Sequence, residues 1–349
     1  MTATAARTFR IFSIIAGLAL AACSAVPVKE ARLVTDSYLI PSQDPGIQLY
    51  IRNKRPEGMS RFSAERTLLY VHGATQASET TFDLPLDGTS WMEFVAQRGW
   101  DVWLVDLRGY GRSTRPPEMD QPTANNPPVV TTDVAVRDVT AAIEHILARR
   151  GVPKINLMAW SWGCTIMATY TTKNNDKVNR LVLYAPQWLK NPQPAASANP
   201  LGAYQTWTTD AARKLLQNGA PEQKLKELFP DTWYDAWSAA ALATDPLGSK
   251  QSPAVVRTPN GIVQDSRDYW NAGKPYYDPS RITAPTLIAH AEWDAVTPGY
   301  MAQAVFARLT GAPHRRLVEI GEGTHFIFLE KNRMQLFREV QLFLDERLP

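Results

Sequence analysis

After residue 33, apolar residues gather into short continuous runs, and between the runs they recur every three or four positions. The runs are "TLLYVHG" (67–73), "WDVWLVDLRG" (100–109), "KINLMAW" (154–160), "RLVLYAP" (180–186), "APTLIAHA" (284–291) and "HRRLVEI" (314–320). Short apolar runs bounded by turn residues predict strands buried on both faces. The periodic stretches predict helices. "WMEFVAQRG" (91–99) is stopped by Gly99, and "DVAVRDVTAAIEHILARRG" (133–151) puts Val139, Ile143, Ile146 and Leu147 on one face before Gly151. A further helix is expected from Gly163 to about Thr171, and "EKNRMQLFREVQLFLDERL" (330–348) closes the chain as another. Strands alternating with helices predict an α/β fold with a doubly wound, mostly parallel sheet.

Residues 187–281 break this rhythm. They are rich in Pro, Trp, Tyr and Ala, open on "NPQPAASANP" (191–200), and contain no expected strand. This interval reads as a mainly helical cap lying over the end of the sheet, where α/β ligand sites form. The core is then 34–186 together with 282–349.

At the N-terminus, Arg7 and Arg10 precede an apolar run over 11–22, followed by Cys23. The run is too short to span a bilayer and reads as an export signal, with 23–33 as a tether. "LAAC" (20–23) resembles the lipobox of bacterial lipoproteins. That resemblance implies cleavage before Cys23, acylation of its thiol and tethering to a membrane. Ser24 resembles the outer-membrane-sorted kind, so the body would face the periplasm. Buried acyl chains at ~0.8 kcal/mol per CH₂ would hold it there. The alternative is a soluble secreted protein with an unmodified Cys23. Cys164 is the other of the two cysteines, so no disulfide scaffold is expected.

The chain has 349 residues, 44% of them hydrophobic and 20% charged, which predicts a packed body rather than disorder. A net charge of +3 gives no electrostatic case for a nucleic-acid partner. Removing 1–22 takes both arginines and no acid with it, leaving a nearly neutral body.

The candidate chemistry starts at "LMAWSWGC" (157–164). Ser161 leaves a predicted strand and enters a predicted helix at once, with Ala159 and Gly163 two residues to either side. Small residues there allow a sharp turn that lifts the hydroxyl above the strand and leaves the next N–H groups free for an oxyanion. The bland alternative is a serine that only caps the helix.

A serine needs a base to become a nucleophile. Of the five histidines, His325 sits in the Gly-rich loop "GEGTHF" (321–326) after the last strand, where an imidazole can reach the sheet's carboxyl edge. His145 is expected to be solvated mid-helix, His290 and His314 belong to strands, and His72 is placed to shape a loop. Asp294, in the turn of "AEWDAVTP" (291–298), is the expected orienting carboxylate, with Glu292 as its rival.

In this order and spacing, "YVHGAT" (70–75), "DLRGYGRST" (106–114), "AWSWG", "AEWDAVTP" and "GEGTHF" resemble the α/β-hydrolase superfamily, most of all its capped esterase and proline-iminopeptidase-like branch. The resemblance implies an oxyanion hole made by the backbone N–H groups near Ala74 and at Trp162. Ala159 departs from the family's first elbow glycine. "RGYGRST" starts like a dinucleotide fingerprint but has Thr114 where a third glycine is needed, so it is expected to be a turn with Asp106 as a structural residue. No cofactor is expected, and no metal, since no ligand spacing is present.

Trp160, Trp162 and Trp293 flank the catalytic positions and are the expected pocket residues, with further tryptophans at 188, 207, 233, 237 and 270. They point to a small or medium, apolar or aromatic ester. An aminopeptidase is the catalytic alternative, for which Glu222, Glu227, Asp231 and Asp235 could bind an amino terminus. A lipid-anchored, non-catalytic binding protein on the same fold is the alternative of another class.

Overall fold

The computed structural model describes residues 1–2, 31–195, 197 and 199–347. Cys23 and nearly all of the expected export signal and tether lie outside the described residues. The core sheet has eight strands: β1 Leu33–Pro41, β2 Gln48–Pro56, β3 Thr67–Val71, β4 Asp101–Val105, β5 Ile155–Trp160, β6 Val178–Tyr184, β9 Thr286–Ala291 and β10 Arg315–Ile320. Their order across the sheet is β1-β2-β4-β3-β5-β6-β9-β10. From β4 to β10 neighbouring strands run parallel, while β1–β2 and β2–β4 pair antiparallel. The predicted mostly parallel sheet is therefore the observed one.

The core helices are α1 Ser78–Phe82, α2 Trp91–Ala96, α3 Thr132–Arg150, α4 Trp162–Thr171, α9 Gly299–Arg308 and α10 Met334–Asp345. Local chemistry fixes several of their ends. Ser90 and Glu93 form a reciprocal capping box at the start of α2. Gly151 ends α3 at φ +63°, the left-handed cap that glycine adopts without a Cβ penalty. Two apolar layers cover the sheet, one around α3, α4 and α9, the other around α2 and α10.

Between β6 and β9 the chain forms the cap: α5 Thr209–Leu216, α6 Leu225–Leu228, α7 Asp231–Ala243 and α8 Gly261–Asp265. It also contains β7 Tyr204–Trp207 and β8 Val256–Pro259, paired antiparallel. The expectation of a strandless interval is corrected here. Each strand is only four residues long, the first half-exposed and the second ending in proline, so neither makes an apolar run. The β1–β2 hairpin was not expected either, because polar blocks (Thr35–Ser37 in β1, Arg52–Arg55 in β2) interrupt its apolar residues and leave no continuous run.

Candidate active site

Every element of the site leaves the carboxyl edge of a parallel strand. β3 runs into His72–Ala74, β5 into Ser161, β9 into the turn holding Asp294, and β10 into the loop holding His325. Ligands gather at this edge in open α/β sheets.

Ser161 has φ +56° and ψ −123°, a conformation costing a non-glycine residue of order 1–3 kcal/mol. The surroundings impose it. Ser161 N–H donates to Tyr184 O at 3.0 Å, and Ser161 O accepts from Cys164 N–H at 2.9 Å. The buried Cys164 thiol donates to Ala159 O and Tyr184 O at 3.3 and 3.1 Å. A Cβ at Gly163 would lie 2.5 Å from His72 O and 2.9 Å from Val71 O, so that position admits only glycine. Ser161 does not cap α4 with its side chain, and the capping alternative is set aside. The first N–H groups of α4, Trp162's among them, have no intrahelical acceptor.

His325 Nδ1–H donates to Asp294 Oδ2 at 2.7 Å, with both residues buried. Asp294 is over-determined. Its Oδ1 accepts from the Val296 and Thr297 N–H groups at 2.9 and 2.8 Å, and Oδ2 also accepts the Thr297 hydroxyl at 2.8 Å. Burial pushes the Asp294 carboxyl up, but the His325 imidazole and the Thr297 donors outweigh it and hold the pKa below the ordinary value. With Nδ1 committed, Nε2 is the imidazole nitrogen left for chemistry. Glu292 is exposed and accepts from Glu322 N–H at 2.9 Å, so the rival carboxylate supports the neighbouring loop instead.

The other histidines are elsewhere. His72 donates from Nδ1 to Gly73 O at 2.7 Å and accepts Leu107 N–H at Nε2, 3.1 Å away. Burial pushes its pKa down to about 4, so it is a neutral loop brace. His145 is not solvated as expected. It is half-buried against Tyr38 and Trp103, and its Nε2 has no partner among the described residues, because α3 lays that face on the β1–β2 hairpin. His290 is buried in β9, and His314 lies just before β10.

Ala74 lines the same cavity as Ser161 and His325. Tyr110 donates its hydroxyl to Ala74 O at 2.6 Å and fixes that loop, a contact between residues 36 apart that no local residue pattern signals. Asp106 is fully buried and accepts from Ser78 and Arg112 N–H groups at 2.9 and 3.2 Å. A Cβ at Gly111 would sit 1.9 Å from that carboxylate, which explains the glycines of "RGYGRST" without a nucleotide.

The cavity around Ser161 measures about 260 Å³. Its apolar wall is built by Trp160 from β5, Trp207 from β7, Leu215 and Leu216 from α5, and Ile262 and Val263 from α8. Thr75, Gln187, Gln205 and Ser266 add polar groups, and His325 is the one titratable side chain among its described lining residues. Trp162 and Trp293, both expected in the pocket, do not line it. The elbow turns the chain so that Trp162 packs into the opposite layer from Trp160 and donates its indole N–H to Thr132 Oγ1. Trp293 is half-buried behind the Asp294 turn, with its N–H on Gly323 O at 2.8 Å. A larger cleft of about 610 Å³, lined by Asp210, Arg213, Lys214, Glu222 and Lys226, includes none of Ser161, His325, Ala74 and Trp162.

The family model described as the alpha/beta hydrolase fold matches residues 66–332. The chain belongs to that family. A curated lipase of Drosophila melanogaster, Lipase 1, is 28% identical over 121 residues, 34% of the chain and 27% of the lipase. The match thus spans about a quarter of that relative. An esterase of Thermogutta terrifontis has a TM-score of 0.58 at 16% identity, covering 88% of the chain and 98% of the esterase. A variant of potato epoxide hydrolase reaches 0.60 at 16% identity, covering 89% and 99%. These two likenesses are of fold, which hosts more than one chemistry, so the activity must be argued from the site.

Proposed function

We propose that the chain is a serine hydrolase that cleaves carboxylic esters through an acyl-enzyme. The observation that carries this reading is Ser161, held at positive φ in a cavity it shares with His325, whose other nitrogen is fixed by buried Asp294. His325 takes the Ser161 proton as the hydroxyl oxygen attacks the acyl carbon. The oxyanion is bound by the N–H groups of Ala74 and Trp162, each worth ~10²–10³ in turnover. His325 returns the proton to the leaving alcohol, and a water it then deprotonates releases the acid. A nucleophilic serine favours acyl transfer over the carboxylate attack on carbon that an aspartate at this position would bring.

The cavity favours an ester with a neutral acyl group over a peptide amino terminus. An ammonium group calls for a facing carboxylate, and none of Glu222, Glu227, Asp231 and Asp235 lines it. The lipobox-like "LAAC" supports extending the same reading to a mature protein tethered through acylated Cys23 to the bacterial outer membrane, facing the periplasm. Replacing Cys23 by Ser should release the protein from the membrane fraction and abolish palmitate labelling.

The deciding experiment compares residues 24–349 as wild type and Ser161→Ala on p-nitrophenyl esters of rising acyl length, with an aminoacyl p-nitroanilide alongside. Ester turnover lost in Ser161→Ala supports the reading. Preference for the anilide would favour the aminopeptidase. No turnover and no fluorophosphonate labelling of Ser161 would overturn the hydrolase mechanism.

A further inference from the structure

Trp162 follows the nucleophile directly, and two hydrogen bonds tie its side chain to the cap. Its indole N–H donates to Thr132 Oγ1 at 2.8 Å. The Thr132 hydroxyl donates onward to Asp265 Oδ2 at 2.6 Å, and Thr132 N–H donates to the same oxygen at 2.6 Å. Asp265 is the last residue of α8 in the cap, Thr132 the first of α3 in the core, and all three side chains are buried.

The local sequence explains why the contact forms. α3 is nineteen residues long, and its N-cap residue Thr131 makes no side-chain cap. The free N–H at its first turn and the helix dipole both favour an anion, which the cap supplies as Asp265. α8 lies flush on the core beside it. Gly261 N–H donates to Val129 O at 2.8 Å, and a Cβ at Gly261 would fall 2.1 Å from Val130 O. On its other side α8 gives Ile262 and Val263 to the cavity wall, and Ser266 follows immediately. One short helix therefore touches the substrate space and, through Asp265, the residue that carries an oxyanion donor.

We propose that Asp265 is a positioning residue that couples the seating of the cap to the alignment of the Trp162 oxyanion donor, acting through Thr132. This rests on the acyl-transfer reading of Ser161. The charged and titratable groups facing Asp265 are Asp133 on α3, Asp268 in the π-helical turn Ser266–Trp270 that continues α8, and Tyr276. Burial, then the charges of Asp133 and Asp268, push its carboxyl up to about 6 against the pull of the Thr132 donors. It is ionised at neutral pH and loses acceptor strength below about pH 6.

The test uses Asp265→Ala, Asp265→Asn and Thr132→Val, assayed on the best p-nitrophenyl ester and by hydrogen exchange of the peptide spanning Ser161. Asp265→Ala and Thr132→Val should lower kcat on the order of tenfold, less than outright loss of an oxyanion donor. Thr132→Val, which leaves the cap's substrate wall in place, should leave KM within about twofold. Asp265→Asn keeps an oxygen toward Thr132 and should retain most of kcat at pH 7. The ratio of wild-type to Asp265→Asn kcat should rise from pH 5 to pH 7, the His325 ionisation being common to both. In Asp265→Ala and Thr132→Val the amides at the start of α4 should exchange faster than in wild type. Unchanged exchange there, or a loss confined to KM, overturns the coupling. If wild type neither turns over esters nor labels at Ser161, the acyl-transfer reading fails, and the exchange data still decide whether cap and elbow are linked.

Discussion

One Cβ is enough to undo the turn at Ser161. Gly163→Ala would press a methyl group against His72 O and Val71 O, both backbone atoms that cannot step aside. We expect a loss of about 1–3 kcal/mol in stability and of fluorophosphonate labelling, read by thermal melting and gel fluorescence. Asp294→Asn tests the other arm of the site. The Val296 and Thr297 N–H donors would still hold the side chain, but His325 would lose the anion that fixes its tautomer. A drop of ~10⁴ in kcat with little change in melting temperature is expected. The placing of Ser161, Asp294 and His325 at one edge of the sheet was legible because a sharp strand-to-helix turn and two post-strand loops each leave local residue signatures. The direction of Trp162 could not. It depends on how the elbow rotates the chain, which no neighbouring residue type encodes. Thr297 was within reach, since an Asp followed three residues later by Thr is a turn-forming pattern.

At the scale of elements, the cap is held to the core by buried carboxylates. Glu330 is fully buried just before α10 and accepts Thr324 N–H at 3.1 Å, next to His325. Burial pushes its carboxyl up to about 7, with the Asp294 charge adding to the effect and the Thr324 and Gln217 donors opposing it. Because this acid is raised on folding, the native chain binds its proton more tightly than the unfolded chain does. Stability is therefore lost as pH rises from about 4.5 through about 7. Glu330→Gln should raise the melting temperature at pH 8, by up to ~3 kcal/mol in stability, and leave it nearly unchanged at pH 5. Equal shifts at both pH values would contradict the assignment. The central strands were legible because burial on both faces writes an unbroken apolar run. β7 and β8 are short, and polar blocks interrupt β1 and β2, so their pairing is decided by tertiary contact rather than by composition.

At the scale of the whole molecule, the cavity was the least legible feature. Its walls come from β5, β7, α5 and α8, which lie far apart in the chain, and only folding assembles them. At about 260 Å³ it sits just under the ~300–1,000 Å³ typical of sites for drug-sized ligands, so short acyl chains should turn over fastest. Leu216→Ala should move the optimum toward longer p-nitrophenyl esters, and an unchanged length profile would place the acyl group elsewhere.

Cys164 has a practical consequence. It is buried under the elbow, and burial pushes its thiol pKa well above the ordinary value, so the native protein should resist alkylation and oxidation. In a chain beginning at residue 24 it is the sole thiol. The speed at which a colorimetric thiol reagent marks it then becomes a stopwatch for spontaneous opening of the molecule, one that runs without any substrate.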